Sequence, residues 1–468
     1  MKPRHIALFV MLGTSCAVID GLQGSNGTTD GGVGNPSNWK WHGPVQIDGA
    51  RPLQSDAPRF ALGPHGSAWV TWYEWNDSAK TSTVWVTSRP GGGAWANPLA
   101  IPAIAGWPVA SYPQIAIGST GDPIVFFGAD NGTASPTRSM RAVRFHPGIA
   151  PAASDIVRLD ATTSSTPQMS QTRAVVADDN GQAVALWGDG RGVYASASAG
   201  GTTWSTAQQL DANTSFETSA VTVAAGASGT ALFGWADGTN AVAQPASISG
   251  GTITAGAKKN LFTGTNAPGP IVAMRGTKGM AAWQDSGGLG ARPFSGDWGP
   301  PVVIPESSLA FYPNAALAVN TAGQAVLIWR RTAGGSDSYS GVVSGSFFDG
   351  TQWSTPALVS LDGPKRKCWW LSVDINDQGV AVASWADYDA GGTFTRIWAN
   401  TLKFGKGAPT WQTPLAIDEA SPTAGLADQP QNVRDISVGL DPAGTVAYVV
   451  YMQHEAGGNP RTWANWLE

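Results

Sequence analysis

Residues 41–48 read WHGPVQID, and the same pattern returns as WANPLAIP from Trp95, WSTAQQLD from Trp204, WGPPVVIP from Trp298, WSTPALVS from Trp353 and WQTPLAID from Trp411. Each later copy closes a longer repeat, whereas the first has no repeat before it. The longer unit is a turn glycine, an apolar run and an aromatic six residues on: Gly66 to Trp72, Gly121 to Phe127, Gly181 to Trp187, Gly229 to Trp235, Gly323 to Trp329 and Gly379 to Trp385. A shortened copy runs from Gly279 to Trp283, and Gly444 leads to Val450 and Tyr451. These eight turns recur about 54 residues apart on average, the spacing of a repeat architecture.

Before each glycine stands an alternating run such as LSVDINDQ, which is a strand signal. The glycine closes a tight turn where positive φ is easiest without a Cβ, and the run to the aromatic is the second strand of a hairpin. A third strand follows, as in VYASAS from Val193, VVSGSFF from Val342, IWANTLK from Ile397 and TWANWLE from Thr462. The W-x-x-P piece is the fourth, its proline suited to an outer edge. Four antiparallel strands repeated eight times predict an all-β chain, a single β-propeller of about eight four-stranded blades. The last unit has its hairpin (436–452) and third strand but no fourth, so WHGPVQID is expected to pair beside TWANWLE and close the ring.

The chain has 468 residues, of which 13 % are charged, about half the usual share, and 42 % are apolar. With 59 Gly and a net charge of -5, this is the composition of a turn-rich exported β protein, and it argues against nucleic-acid binding, which needs basic excess. Lys2 and Arg4 precede an apolar run of eight, Ile6 to Gly13, too short to span a bilayer, and GTSC follows. Cys16 in that place resembles a bacterial lipoprotein cleavage site, although Gly13 stands where the family prefers Leu. The resemblance implies lipidation of Cys16, with ordinary secretion as the alternative, and Ala17 after it implies the outer membrane. The expected organisation is a signal peptide over 1–16, a Gly/Ser/Asn-rich tether over 17–38 and the propeller over 39–468. Contact with a membrane is then expected through the lipid anchor only.

The pieces SAGGTTWS and FFDGTQWS resemble degenerate Asp-boxes of sialidase-superfamily propellers. Gly201, Thr203 and Trp204 match, with Ala199 in place of Asp; Gly350 and Trp353 match, with Asp349 one place late. The resemblance implies a propeller and carries no activity with it.

Loops on a rigid scaffold carry function. After the aromatic comes W-x-D, giving Asp189, Asp237, Asp285 and Asp387, with Asp130 three after Phe127. Two readings stand side by side: interblade packing for the tryptophans and turn acceptors for the aspartates, or a multivalent ring that stacks sugars on Trp and holds their hydroxyls on Asp. The sixth copy departs from the pattern with Arg330 and Arg331. The next connection is GPKRKCWW, with Lys365, Arg366, Lys367, Cys368, Trp369 and Trp370, and Arg396 begins a later strand. The topology puts all of these on one face, as a cationic aromatic pocket for an anionic ligand or as a solvated loop over two packed tryptophans.

The five histidines show no metal spacing, and no G-x-S-x-G elbow occurs. DINDQG from Asp374 imitates a calcium loop, but its twelfth position is Trp385, so it reads as a turn; Asp387 and Asp389 form a weaker calcium candidate. No cofactor is expected. The function expected from the sequence is a surface module recognising a glycan or a protein. A degenerate sialidase-like hydrolase on acidic sugars and a scaffold subunit of an envelope complex are the alternatives.

Overall fold

The computed structural model describes residues 39–49, 51–118, 120–133, 138–146, 148–160, 173–189, 191–212, 221–238, 240–264, 269–285, 288–305, 315–332, 341–361, 367–388, 395–403, 409–418, 433–454 and 459–468. It is a ring of eight antiparallel blades. Blade 1 has strands Gln54–Leu62, Ala68–Asn76, Thr81–Arg89 and Leu99–Ala100. Blade 2 has Val109–Ile117, Pro123–Asp130, Arg138–Arg144 and Val157–Arg158, and blade 3 has Arg173–Ala177, Ala183–Asp189, Gly192–Ser198 and Gln208–Asp211. Blade 4 (Thr222–Ala225, Thr230–Ala236, Asn240–Ser249) lacks the W-x-x-P piece, and two segments, Thr252–Ala255 and Lys259–Thr263, pair with its third strand instead. Blade 5 has Ile271–Arg275, Lys278–Asp285, Gly288–Phe294 and Val302–Ile304; blade 6 has Ala315–Val319, Ala325–Thr332, Gly341–Phe348 and Ala357–Leu358. Blade 7 has Lys367–Ile375, Val380–Tyr388, Thr395–Lys403 and the short outer pieces Thr410–Trp411 and Leu415–Ala416. Blade 8 has Val433–Leu440, Ala447–His454 and Pro460–Leu467.

The orphan copy closes the ring as its sequence predicts. Val45 pairs with Ala464 and Gln46 with Trp463, while Trp41 bridges Leu467. Around them Lys40 N–H donates to Glu468 O (3.0 Å), His42 N–H to Trp466 O (3.0 Å) and Ile47 N–H to Thr462 O (2.9 Å). Asp48, fully buried, ties the closure to blade 1: Oδ2 accepts from Ser55 Oγ (2.8 Å) and Thr462 N (3.2 Å), and Oδ1 from Gln46 Nε2 (2.7 Å).

A blade is apolar on both faces, so each face must be covered by a neighbour. Accordingly the buried apolar residues fall into eight clusters, one in each seam between consecutive blades. The repeated aromatic is the centre of this packing. Trp72, Phe127, Trp187, Trp235, Trp329, Trp385 and Tyr451 are at most 1 % exposed, and each faces the preceding blade. The packing reading therefore holds, and a stacking platform made of these rings does not. Where seam 8/1 is tightest a glycine is required: a Cβ on Gly439 would lie 2.1 Å from the Phe60 ring.

The turns between first and second strands make one face of the ring, the turn face. Most touch the next in order: Ala227 N–H donates to Gly276 O (2.7 Å), Ser228 N–H to Asp179 (2.8 Å) and Thr321 N–H to Asp377 (2.9 Å). The turn from Asp374 is of this kind, Gly379 N–H donating to Asn376 O. The opposite loop face carries the interblade connections. No helix among the described residues is long and apolar enough to cross a membrane.

The Asp-box-like hairpin is also structural. Asp349 Oδ1 accepts from Thr351 N (2.7 Å) and Gln352 N (2.9 Å), and Trp353 packs on Phe348 with ring centroids 5.4 Å apart. The threonine hydroxyl, first among these hydrogen bonds, holds the Asp349 carboxyl below its ordinary range.

Candidate functional site

The loop face is not uniform. In blades 7, 8, 1 and 2 the innermost strand is broken by a bulge three or four residues in, and the extra residue is left-handed without being glycine. These residues are Trp370 (φ 55°), Asp435 (φ 58°), Ala57 (φ 49°) and Tyr112 (φ 48°). Such a conformation is uncommon for any side chain and an outlier for a bulky one. Four in neighbouring blades at one level mark the mouth of the ring as the place where strand geometry gives way to side-chain placement. Pro58 and Pro113, each directly after a bulged residue, interrupt the ladder.

The bulges gather polar groups. Asp56 accepts from Ala57 N on Oδ1 (2.8 Å) and from the Tyr73 hydroxyl on Oδ2 (2.9 Å). The Tyr73 ring meets Tyr112 edge-on at 5.5 Å. Burial first, then the Asp56 charge, pushes the Tyr73 hydroxyl far above its ordinary value, so it is a fixed proton donor. Arg59 Nη1 donates to Asp435 Oδ1 (3.0 Å) across seam 8/1 and to Pro58 O (2.8 Å). Trp370, half-buried, packs on the cluster of seam 7/8.

Behind this mouth, Glu74 is 2 % exposed. Its Oε1 accepts weakly from Trp72 Nε1 (3.5 Å) and lies 3.6 Å from Arg51 Nε, and the Arg51 guanidinium stacks on Trp85 at 3.2 Å. Burial pushes the Glu74 carboxyl up to about 7 against the opposing pull of Arg51. The folded state therefore holds this proton more tightly than the unfolded chain. The contribution of Glu74 to stability falls as pH rises from about 4.5 to about 7, by roughly 3 kcal/mol, and this contribution is constant on either side. Glu74→Gln is expected to melt above the parent at pH 8 and with it at pH 4, and melting curves at the two pH values check this.

The residues singled out from sequence divide. The elements bearing Arg330, Arg331, Lys367, Trp370 and Arg396 do meet on the loop face: Gly341 pairs with Lys367, Cys368 with Asp387 and Asp387 with Arg396. Arg330, however, is 0 % exposed; it follows Trp329 and so takes the other face of the sheet, inside seam 6/7. Arg331 is half-buried. The guanidinium of Arg396 is held by Asp418 (Nε–Oδ1 2.7 Å), whose carboxyl burial raises and Arg396 lowers. Asp387 is 3 % exposed, and Asp237 accepts from Asn240 N (2.7 Å) as a turn acceptor. Asp130 pairs with Arg138 at 3.1 Å. Asp237 and Asp130 are thus engaged by neighbouring groups at their own strand ends, while Asp387 is sealed from solvent. Lys365, Arg366, Asp389 and Cys16 lie outside the described residues, as do the side chains of Lys367, Trp369, Asp189 and Asp285. Among the described residues no three metal-ligating side chains gather. The mouth residues Asp56, Arg59, Tyr73, Tyr112 and Asp435 were missed by the sequence reading. The prolines inside otherwise alternating runs, in DAPR and SYPQ, are the signal that points to two of the bulges.

No family model and no curated protein matches the chain. Solved structures do. A polysaccharide lyase of family PL25, an ulvan lyase, has a TM-score of 0.51 at 11 % identity, over 89 % of this chain and 95 % of that one. A protein of unknown function from Dyadobacter fermentans has 0.43 at 11 %, over 92 % and 99 %. The NanB sialidase from Streptococcus pneumoniae has 0.41 at 9 %, over 90 % and 70 %. At such identities the likeness is one of fold, and the class it defines with the topology is the β-propeller.

Proposed function

We propose that this chain is an exported, lipid-anchored propeller that recognises carbohydrate at the loop-face mouth of blades 7, 8, 1 and 2. The observation that carries the reading is the run of four bulged inner strands with left-handed Trp370, Asp435, Ala57 and Tyr112, since backbone strain held in register is kept where it positions a site. The chemistry agrees: aromatic rings beside fixed donors and acceptors suit a sugar, with its apolar C–H face and hydroxyl rim. The proposed partner is a glycan, and the anchor is the proposed link to the outer membrane. The fold likeness to a polysaccharide lyase is in keeping with this.

Binding is favoured over catalysis because the mouth groups are engaged with one another: Tyr73 with Asp56, and Arg59 with Asp435. A glycoside hydrolase is the second reading, favoured by the two carboxylates, Asp56 and Asp435, that both act on the Tyr73 hydroxyl. Asp56→Asn and Trp370→Ala are each expected to weaken oligosaccharide binding on an array and by calorimetry by about tenfold or more, with the melting temperature little changed for Asp56→Asn. Unaltered binding in both variants would overturn the mouth as the site. Release of reducing ends by the parent and its loss in Asp56→Asn would replace recognition with hydrolysis.

A further inference from the structure

Blade 2 breaks the pattern of the ring at one more place. The third-strand residue paired with the repeated aromatic is Trp85, Tyr194, Val242, Gly290, Ser344, Trp398 and Trp463 in the other blades, but Arg141 in blade 2. The fourth-strand residue opposite it is Ala100, Gln209, Asn260, Val303, Leu358, Ala416 and Gln46 elsewhere, but Arg158 in blade 2. Two guanidiniums thus stand directly opposite each other on one face of a sheet, an arrangement that like-charge repulsion disfavours.

The surroundings neutralise one of them. Asp160, 5 % exposed, takes Arg158 Nε on Oδ1 (3.1 Å), together with Ser139 Oγ (2.9 Å) and Met140 N (3.2 Å). Arg141 lies with its guanidinium carbon 5.3 Å from the centre of the Trp107 ring, and its buried Nε has no acceptor among the described residues. Trp107 is presented by a tight turn in the connection from blade 1, Trp107 N–H donating to Ile104 O (2.9 Å). The group of Arg141, Arg158 and Asp160 therefore carries one net positive charge beside a half-buried indole. Burial, and then the charge of Arg158, lowers the Arg141 guanidinium from its usual value, as expected of a cation short of a counter-charge.

The location links this group to the mouth. Phe127, the strand neighbour of Arg141, belongs to the cluster of seam 1/2 that also contains Tyr73 and has Tyr112, Trp75 and Ile104 packed on it. Seam 1/2 therefore leads outward from the Asp56–Tyr73–Tyr112 group to Trp107 and the two arginines.

We propose that Arg141, Arg158 and Trp107 form an outer subsite for an oxyanion, a carboxylate or sulfate substituent on an oligosaccharide whose inner residues lie at the mouth. This rests on the mouth reading above and adds the charge of the ligand to it. Guanidinium pairs match the planar or tetrahedral oxygens of such a group, and the indole covers the sugar ring that bears it.

The test uses the blade 3 residues as replacements, since the same fold already accommodates them: Arg141→Tyr and Arg158→Gln. Oligogalacturonate, a sulfated oligosaccharide and a neutral oligosaccharide of equal length are titrated into the parent and both variants, with Asp56→Asn beside them. One or both anionic oligosaccharides are expected to bind about tenfold or more weakly to the arginine variants, the loss shrinking in high salt, while the neutral one is unaffected. Which of the two is discriminated tells carboxylate from sulfate. Anionic binding equal in parent and arginine variants overturns the subsite, even where Asp56→Asn shows the mouth to be in use. Anionic binding lost in the arginine variants but intact both in Asp56→Asn and in Trp370→Ala titrated beside it keeps the subsite and overturns the mouth. Inorganic sulfate against chloride at matched ionic strength gives a ligand-independent readout: a melting shift in the parent, absent from Arg141→Tyr, is expected, and equal shifts in both count against the site.

Discussion

Removal of residues 39–48 is expected to destabilise the whole propeller, by more than about 5 kcal/mol, although it takes away a single two-residue strand. The direct losses already reach that size. Ile47 is 3 % exposed, and its burial contributes about 2 kcal/mol. The backbone bonds of Lys40, His42 and Ile47 with blade 8, and the strand pairs at Val45 and Gln46, contribute about 1 kcal/mol each. Losing Asp48 also leaves Ser55 Oγ and Thr462 N–H without their acceptor. Beyond these, the cluster of seam 8/1, with Phe60, Trp72, Tyr448 and Val450, is a contact between the two ends of the chain. Without the closing strand it opens more readily than the other seams, which are contacts between consecutive blades. Calorimetry of the truncated chain checks this. A truncated protein that melts as the full one does would show that seam 8/1 holds the ring without the clasp. Ala464→Pro, which disturbs the same strand pairing from the other side, should act in the same direction.

Replacement of Arg275 by methionine is expected to cost about 3 to 5 kcal/mol. Arg275 ends the inner strand of blade 5 and is 2 % exposed. Its Nη1 donates to Ile375 O (2.5 Å), and Nη2 lies 3.8 Å from Asp374 Oδ1, both in blade 7. Blade 6 stands between these two blades, so the side chain runs on the axial side of it, near the turn face. Asp374 in turn accepts from Ile375 N (2.8 Å) and from Leu440 N (2.8 Å) in blade 8. One guanidinium and one carboxylate thus join blades 5, 7 and 8 across the axis. Burial raises the Asp374 carboxyl and Arg275 opposes it, so methionine would leave a buried acid without its cation. Arg275→Met/Asp374→Asn should recover part of the loss, and a double-mutant cycle from denaturant melts measures the coupling. Equal stability of parent and single variant would mean that solvent supplies the missing charge.

The fold was legible because its determinants are local. A glycine with positive φ, such as Gly181 at 75°, an alternating run and an aromatic six residues on are all short-range features, and each blade repeats them. Even the closure could be read, since one unit lacks a strand and another stretch is a strand without a unit. The fourth strands are split at their W-x-x-P pattern, because the proline cannot donate: Trp298 and Trp353 bridge the third strand before it, and the ladder resumes after it.

The site was much less legible. Arg330 and Arg396 have the same chemistry in sequence, yet one is sealed in a seam and the other is half-exposed against Asp418. What separates them is which face of a sheet meets the neighbouring blade. Arg59 and Asp435 are 376 residues apart and touch only because the ring closes. Tyr73 and Asp56 are on adjacent strands, but the bulge at Ala57 that sets their register is a backbone feature for which Pro58 is the sole local sign. Arg141 and Arg158 lie opposite each other through pairing across a connection of variable length. The sequence by itself determined the repeat, the blade count and the clasp, because periodic burial and turn chemistry act within a few residues. Tertiary structure decided which charges are buried, which are paired and which meet at the mouth, because those outcomes depend on the seams between blades.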